Sequence, residues 1–483
     1  MHKALLALSI SLAAATAAAG DIDYSEGILF INEDWYGHQN STVNYLLPDA
    51  PDGECWHYRV IQAENPGHEL GCTNQYGALW DGRLYMIAKQ EKDPGASIMG
   101  GRISVADATT MKLVKQLEII DPSGHQCDGR GFVGVDAHKG YVSTSNGIWV
   151  LDLDRLEITG QVDGSANPNA GGDNDRPNDD PTGALYVGQS GSMVLAAGRV
   201  FAVHQQYGLL VIDPAQDRVV RILDMKIVDE AVEAETGTAP KRGAGIGSGL
   251  VRAKDGSLWH SVAADVRGTG ATLPYIVCVD PVTLDRELVK IEGEGLFPPS
   301  NSWYAWTPDP FCASEQENTL YWCGGSNRWF SKDRVFRFDC DTRAVTEFLD
   351  FSSQAGDWQV YGCSLGIHPV TDELYMSMFH QFTTPVYETR RYSSAGELLR
   401  TYAMIDNYWF PSLPVFPQSS RITGVTDIAS GTHSDGPVTA WTLSGIKVFE
   451  GTADGWQDAS RALAPGIYIL RTSAGTRKIA ISN

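Results

Sequence analysis

Large aromatic side chains alternate with amides and imidazoles in short segments between the apolar stretches of this 483-residue chain. Loops of soluble proteins favour Gly, Asn, Asp and Ser, so recurrent rings at such positions need a reason. Rings supply contact area at low rotamer cost, while amides and imidazoles orient a partner by hydrogen bonds. This chemistry predicts non-covalent binding of a large planar or polycyclic ligand. The candidate binding residues are Asp34, Trp35, Tyr36, Gln75, Tyr76, Gln189, His204, Gln205, Tyr207, Trp303, Tyr304, Asn327, Arg328, Trp329, Trp358, His380 and Gln381.

Acidic residues offer a second kind of chemistry. Asp34, Asp128 and Asp265 lie in three different parts of the chain. If they converge, they could hold a divalent metal that activates water for hydrolysis. No serine-nucleophile or zinc-protease motif occurs in a supporting context. Catalysis therefore stays open as an alternative to binding.

One oxygen-rich segment could hold Ca²⁺ through Asp173, Asp175 and Asp179. It lacks the ligand positions of an EF-hand, which favours a solvated polar loop over a calcium site. The glycine-rich segment 243–249 superficially suggests a phosphate-binding turn. It precedes a predicted strand and not a helix, so we interpret it as a connection between strands.

A recurring strand pattern positions these residues. It consists of an Asp- or Gly-containing turn, a strand of the type Leu-Tyr-x-apolar, a variable loop and a strand that ends in Asp. Seven copies occur, beginning at residues 27, 81, 138, 198, 255, 318 and 372. Stacking such four-stranded units radially buries their apolar faces. The sequence therefore predicts an all-β fold, a seven-bladed β-propeller over residues 21–418.

This fold predicts where the candidate residues meet. In a propeller, the loops between the second and third strands of each blade leave the ring on one face. The loops between successive blades leave it on the same face. The rings, amides and imidazoles named above lie in these two kinds of loop, so we expect one lined cup. A protein-binding hub would instead present a flat apolar face.

Residues 419–483 differ in composition and read as a small β-sandwich-like module. This module resembles the C-terminal sorting domain of type IX secretion. The resemblance rests on Leu443-Ser444-Gly445 with Lys447-Val448, then Gly466-Ile467-Tyr468-Ile469-Leu470, then Lys478-Ile479-Ala480-Ile481. It implies passage through the outer membrane, with the tail removed and replaced by a surface anchor. A small sheet that simply packs on the propeller is the alternative.

The first twenty residues have a basic start, an apolar stretch and a small-residue end, which is typical of a signal peptide. We therefore expect an exported protein without a transmembrane span, at the outer-membrane surface or extracellular. The net charge of −22 argues against nucleic-acid partners. Eight cysteines permit disulfides in an exported protein, and Cys312 with Cys323 is the preferred pair.

Two segments, one near each end of the predicted propeller, resemble segments of a known family of propellers. The first is Phe30-Ile31-Asn32-Glu33-Asp34-Trp35-Tyr36-Gly37 with Asn40-Ser41-Thr42, and the second is 408–416, Tyr-Trp-Phe-Pro-Ser-Leu-Pro-Val-Phe. They resemble the surface propellers whose best-known members capture vitamin B12 beside outer-membrane corrinoid transporters. The family pattern has Asn-Glu-Gly where this chain has Asp34 in the glycine position.

The resemblance implies a non-catalytic protein that captures a nutrient, with cobalamin or another corrinoid as the first candidate ligand. An outer-membrane transporter would be the partner that receives it. The rival from a different class is a propeller enzyme, a metal-dependent lactonase or a quinone-dependent dehydrogenase.

Overall fold

The computed structural model describes most of the chain. The described residues are 22–170, 184–241, 243–263, 273–299, 311–324, 331–381, 384–419, 437–442, 446–452, 455–456, 459, 463, 466–472 and 475–481. The predicted signal peptide and the segment with Asp173, Asp175 and Asp179 lie outside them. None of the helices in the described part has the length and apolarity that crossing a bilayer requires.

Strands dominate the described residues. In the first half of the chain they are β1 Ile28–Asn32, β2 Thr42–Leu46, β3 Trp56–His57, β4 Cys72–Trp80, β5 Arg83–Gln90, β6 Ile103–Asp107, β7 Leu113–Leu117, β8 Gly129–Gly134, β9 Lys139–Thr144, β10 Gly147–Asp152, β11 Glu157–Gln161, β12 Ser190–Ala196, β13 Arg199–His204, β14 Gly208–Asp213 and β15 Arg218–Leu223. Helix α1 covers Val60–Glu64, helix α2 covers Lys226–Thr236, and a 3₁₀ turn covers Ala184–Val187.

The second half continues the same pattern. Its strands are β16 Gly245–Arg252, β17 Leu258–Ala263, β18 Tyr275–Val279, β19 Arg286–Lys290, β20 Phe311–Ala313, β21 Thr319–Gly324, β22 Ser331–Lys332, β23 Arg334–Asp339, β24 Val345–Asp350, β25 Trp358–Ile367, β26 Leu374–His380, β27 Tyr387–Tyr392, β28 Leu398–Ala403, β29 Pro411–Val415, β30 Pro437–Thr442, β31 Lys447–Thr452, β32 Gly466–Thr472 and β33 Gly475–Ile481.

Antiparallel sheets of four or five strands organise residues 28–415. Their strand orders are β29-β1-β2-β3, β4-β5-β6-β7, β8-β9-β10-β11, β12-β13-β14-β15, β16-β17-β18-β19, β20-β21-β23-β24 and β22-β25-β26-β27-β28. Within the described residues these are seven sheets, the number of strand repeats in the sequence. Short turns join neighbouring strands, which is the connection that antiparallel pairing permits.

The sheets form a closed ring. One strand from each sheet contacts its counterparts in the two neighbouring sheets, in the cyclic order β29, β4, β8, β12, β16, β20, β25 and back to β29. These are the innermost strands. The last of them, β29, completes the first sheet by pairing Val415 with Leu29 and Leu413 with Ile31. The predicted all-β propeller is confirmed.

Apolar side chains between neighbouring sheets hold the ring together. Tyr85 of the second sheet stacks on Phe132 of the third, with ring centroids 4.1 Å apart and planes within 8°. Trp80, Ile87 and Val142 are buried in the same cluster. Complete burial of one large apolar side chain contributes about 1.5–3 kcal/mol. Each blade therefore depends on its neighbours for stability.

The C-terminal module is a sheet of its own. Its strand order is β31-β30-β32-β33, and Val438, Ala440, Trp456, Tyr468 and Leu470 form its buried apolar cluster. In the described residues this module is one four-stranded sheet, so the sandwich-like second layer is not among them.

The predicted disulfide between Cys312 and Cys323 is wrong, because Cys312 carries a free thiol. In the β20–β21 register Cys312 lies opposite Tyr321, two residues before Cys323. Diagonal neighbours across a strand pair are about 7–8 Å apart, too far for a disulfide without backbone movement.

A glycine between two blades tests the packing of the ring. A Cβ at Gly134 would lie 1.9 Å from Cδ2 of Trp80. We expect Gly134→Ala to lower the free energy of unfolding by about 1–3 kcal/mol through overpacking, measured by urea denaturation. Gly160→Ala is the matched control, because a Cβ there meets nothing within 4 Å. Equal stability of the two variants would contradict the packing.

Candidate ligand-binding face

The innermost strands all begin at one end of the ring, which we call the upper face. At this end the start of each innermost strand pairs with the end of the second strand of its sheet. The register pairs Cys72 with Gln90, Gly129 with Thr144, Ser190 with His204, and Trp358 with His380. The loops after the second strands therefore leave the ring on this face.

Most of the candidate binding residues in the described part lie at this end. The segment Asp34–Tyr36 follows β1, Gln75 and Gln189 lie at the start of innermost strands or just before them, and Gln205 and Tyr207 follow β13. Trp358 begins β25, His380 ends β26, and Gln381 comes next. Trp303, Tyr304, Asn327, Arg328 and Trp329 lie outside the described residues.

Bulges near the upper face turn selected side chains out of the strand ladders. The register shifts between Asn74 and Tyr76 in β4, and between Gly129 and Gly131 in β8. At these two shifts the strand register passes over Gln75 and Arg130. In β25 a longer shift contains Tyr361. A bulge bends its strand and re-aims a side chain, often beside a functional site.

These bulges contribute to a group of buried polar side chains that we call the upper cluster. It consists of Glu33, Gln75, Lys89, Asp128 and Arg130, contributed by the first three sheets and the loops beside them. The Nε2 of Gln75 donates to Oε1 of Glu33 at 3.0 Å. The guanidinium of Arg130 donates to the side-chain oxygen of Gln189 and lies 5.9 Å from the ring centroid of Tyr186.

Burial shifts the protonation of the upper cluster. Glu33 is 4% exposed, and burial raises its pKa to about 7, against the opposing effects of Lys89, Gln75 and Tyr361. Burial and the charge of Arg130 hold the pKa of Lys89 well below its usual value. Buried groups with shifted pKa values are typical of functional sites. Among the described residues, the Lys89 Nζ has no hydrogen-bond partner.

Exposed rings flank the cluster on the upper face. Trp35 is 38% exposed and Tyr36 is 40% exposed. The ring of Trp35 lies 4.0 Å from His38 and 4.2 Å from Tyr408, centroid to centroid. Such a patch beside buried polar groups is a surface on which a planar ligand can pack.

Asp34 shapes this loop from beneath. It is buried, and its Oδ2 accepts from the hydroxyl of Thr42 at 2.7 Å while its Oδ1 accepts from Nε2 of Gln39 at 2.5 Å. Its φ of 55° is in the left-handed region that Gly adopts most easily and Asp tolerates. The backbone conformation that glycine favours is therefore kept despite the substitution, and the carboxylate does not line the surface.

Other predicted binding residues make contacts that stabilise the blades at the upper face. His204 is fully buried, stacks on Tyr207 with centroids 4.1 Å apart, and is kept neutral because burial lowers its pKa to about 4. The side-chain oxygen of Gln205 accepts from the backbone N–H of Gln189 at 3.4 Å. The hydroxyl of Tyr76 donates to the carbonyl of Phe132 at 3.0 Å, which places this ring between two blades.

Trp358 and His380 lie next to each other on the seventh sheet. Their ring centroids are 5.4 Å apart, and the guanidinium of Arg390 lies 5.5 Å from the Trp358 ring. Trp358 also lines a cavity of about 420 Å³ between β24, β27 and β28. Gln381 is exposed on the adjoining loop.

The described residues give no geometric support to a metal site built from Asp34, Asp128 and Asp265. Asp128 accepts from the Arg102 guanidinium at 3.2 Å and from the Tyr186 hydroxyl at 2.7 Å, and Asp34 has its own separate partners. Asp265 lies outside the described residues. Within the described part, no group of three or more His, Cys, Asp or Glu side chains could hold a metal ion.

Glu33, Lys89 and Arg130 are absent from the candidate binding residues taken from the sequence, and Asp128 was considered there only as a metal ligand. Lys89 follows the apolar run of β5, and Arg130 stands between two glycines. A charge at the end of an apolar strand is the signal that could have found Lys89. Arg130 joins the upper cluster because of the bulge in β8, and no sequence pattern at this place indicates a bulge.

The family model described as Domain of unknown function (DUF5074) matches residues 26–417. No curated protein matches the chain. The chain is similar in structure to a quinonprotein alcohol dehydrogenase-like protein from Bacteroides thetaiotaomicron VPI-5482, with 15% identity and a TM-score of 0.53. That match covers 82% of this chain and 79% of that one.

Another structural match is the β-propeller domain of Cps50 (Swd1) from Myceliophteria thermophila, with 10% identity and a TM-score of 0.44. It covers 75% of this chain and 98% of that one. Likeness at such identities concerns the fold alone, so the function must be argued from the site.

The raised pKa of Glu33 predicts a pH-dependent stability. In the folded state Glu33 keeps its proton up to a pH near 7, whereas in the unfolded chain its carboxyl loses the proton near its ordinary pKa of 4.5. The wild type should therefore lose stability as pH rises between these values. Glu33→Gln should remove the part of this loss that Glu33 causes and be more stable than wild type by roughly 2–3 kcal/mol at about pH 8. The remaining loss comes from Asp34, because burial raises its pKa to about 8.

Urea denaturation at several pH values measures this difference. At about pH 4 the difference should shrink, because Glu33 is then protonated in both states. The exposed Glu157→Gln is the matched control and should follow the wild-type profile. A pH profile of Glu33→Gln that parallels the wild type would contradict the assignment.

Proposed function

The chain belongs to the family described as Domain of unknown function (DUF5074), and on that premise we propose that it is a non-catalytic binding protein. It captures a small-molecule nutrient on its upper face. The observation that carries this proposal is the upper cluster, where buried polar groups lie at bulges beside exposed rings. A fold maintained for stability alone gains nothing from burying a lysine whose amine has no hydrogen-bond partner among the described residues.

A corrinoid, with cobalamin first, is the candidate ligand. This choice rests on the resemblance of residues 30–37 and 408–416 to the propellers that capture vitamin B12. Trp35 and Tyr36 offer ring surface for a large planar molecule, and Asp34 keeps a backbone conformation that glycine favours at this place. The polar groups of the upper cluster would orient the ligand through hydrogen bonds.

The location belongs to the same proposal. Residues 1–20 would direct export, and the tail 419–483 would direct type IX secretion and surface attachment. At the cell surface, the protein would pass its ligand to an outer-membrane transporter. A propeller suits this role because its upper face stays open while the ring itself remains rigid.

Isothermal calorimetry with cyanocobalamin tests the ligand on the upper face. We expect wild type to bind at micromolar concentration or tighter. Trp35→Ala and Tyr36→Ala should each weaken binding about tenfold, because each removes ring contact worth about 1.4 kcal/mol. Val282→Ala, an exposed substitution in the β18–β19 turn at the opposite end of the blade, is the matched control. Absence of heat at micromolar cyanocobalamin would rule out this corrinoid.

A further inference from the structure

Lys89 is buried in a way that lysine rarely is. Its side chain is 1% exposed, and among the described residues its Nζ has no hydrogen-bond partner. Lysine normally extends its amine to water along an apolar surface. A buried ammonium without an acceptor is costly, so its place in the fold needs a reason.

The groups around Lys89 leave a positive charge without a full counter-charge once its amine is protonated. Glu33, Cys72, Asp128 and Arg130 are the ionisable groups that act on its protonation. Asp128 is engaged by Arg102 and the Tyr186 hydroxyl. With a pKa of about 7, Glu33 carries only part of a negative charge at neutral pH. Arg102 also pairs with Glu91 at 3.0 Å, which leaves Asp128 to offset Arg130. Once protonated, Lys89 therefore has only the partly ionised Glu33 left among the carboxyl groups that act on it.

We propose that Lys89 and Arg130 bind an anionic group of the ligand, a carboxylate or a phosphate, at the upper cluster. This inference rests on the proposed binding function and adds the chemistry of one ligand group. The guanidinium presents several donors in one plane, and the ammonium acts as a compact charge. Together they supply N–H donors and positive charge for such an anion.

Binding is coupled to protonation. Burial and Arg130 favour the neutral amine of Lys89 in the free protein, and a bound anion favours the ammonium. The anion therefore binds with uptake of a proton, and its affinity falls as pH rises. Glu33 acts in the same direction, because its ionised form competes with the anion for the two cations. Cys72 has a raised pKa and stays neutral.

Thermal unfolding of the whole mature chain in inorganic phosphate or acetate tests this inference. Sodium chloride keeps the ionic strength constant. A ligand that binds only the folded state at about 100 times its Kd adds about 2.7 kcal/mol of stability. We expect a rise in midpoint of roughly 2–4 °C with one of the two anions, larger at about pH 6 than at pH 8.5. The anion that gives the larger rise identifies phosphate or carboxylate.

Lys89→Met should lose the anion response and keep or raise the midpoint in chloride, because it replaces a buried amine with an apolar chain. Lys89→Arg should keep part of the response, and the exposed Lys115→Met is the matched control that keeps all of it. A wild-type midpoint that neither anion raises overturns the inference. So does a full response in Lys89→Met.

The readout separates this inference from the proposed function. An anion response without cyanocobalamin binding supports the anion site and removes the corrinoid. Cyanocobalamin binding that Lys89→Met leaves unchanged, with no anion response in wild type, keeps the binding function and overturns the anion site.

Discussion

Pairing between β29 and β1 joins the two ends of the propeller, and the upper face depends on it. The backbone N–H of Glu33 donates to the carbonyl of Phe410 at 3.0 Å, and that of Asp34 donates to Trp409 at 3.0 Å. The hydroxyl of Ser412 donates to the carbonyls of Ile31 and Asn74, each at 3.1 Å. These bonds fix the loop after β1 beside the second sheet and thereby set Glu33 against Gln75.

The closed ring allows buried charges that a smaller structure could not hold. Seven described sheets pack against one another through apolar faces, so the ring tolerates a local cost at the upper cluster. The bulge in β4 and the bulge in β8 each give up a ladder pairing and place Gln75 and Arg130 in the upper cluster. The apolar contacts between the blades thus supply the stability, and the buried polar groups that cost stability lie at the upper face.

The sequence contained enough to predict the propeller, because each strand pattern repeats its turn and its apolar alternation. It also predicted that residues such as Gln75 and Gln189 lie at one end. It missed Glu33, Lys89 and Arg130 of the upper cluster, since burial of Lys89 depends on which sheets become neighbours and not on local pattern. The bulge beside Tyr76 turns its ring between two blades, which the local pattern could not predict. The disulfide prediction for Cys312 failed because it depended on the strand register, which places Cys312 opposite Tyr321 and not opposite Cys323.

Ring closure can be measured directly by calorimetric unfolding of two shortened chains. One chain ends after Ser419 and keeps β29, and the other ends after Phe410 and lacks it. The first should unfold in one cooperative transition with the wild-type propeller midpoint. The second should lose several kcal/mol, roughly the burial of two or three large side chains, and lose cooperativity. Equal midpoints for the two chains would contradict the account that closure by β29 organises the upper face.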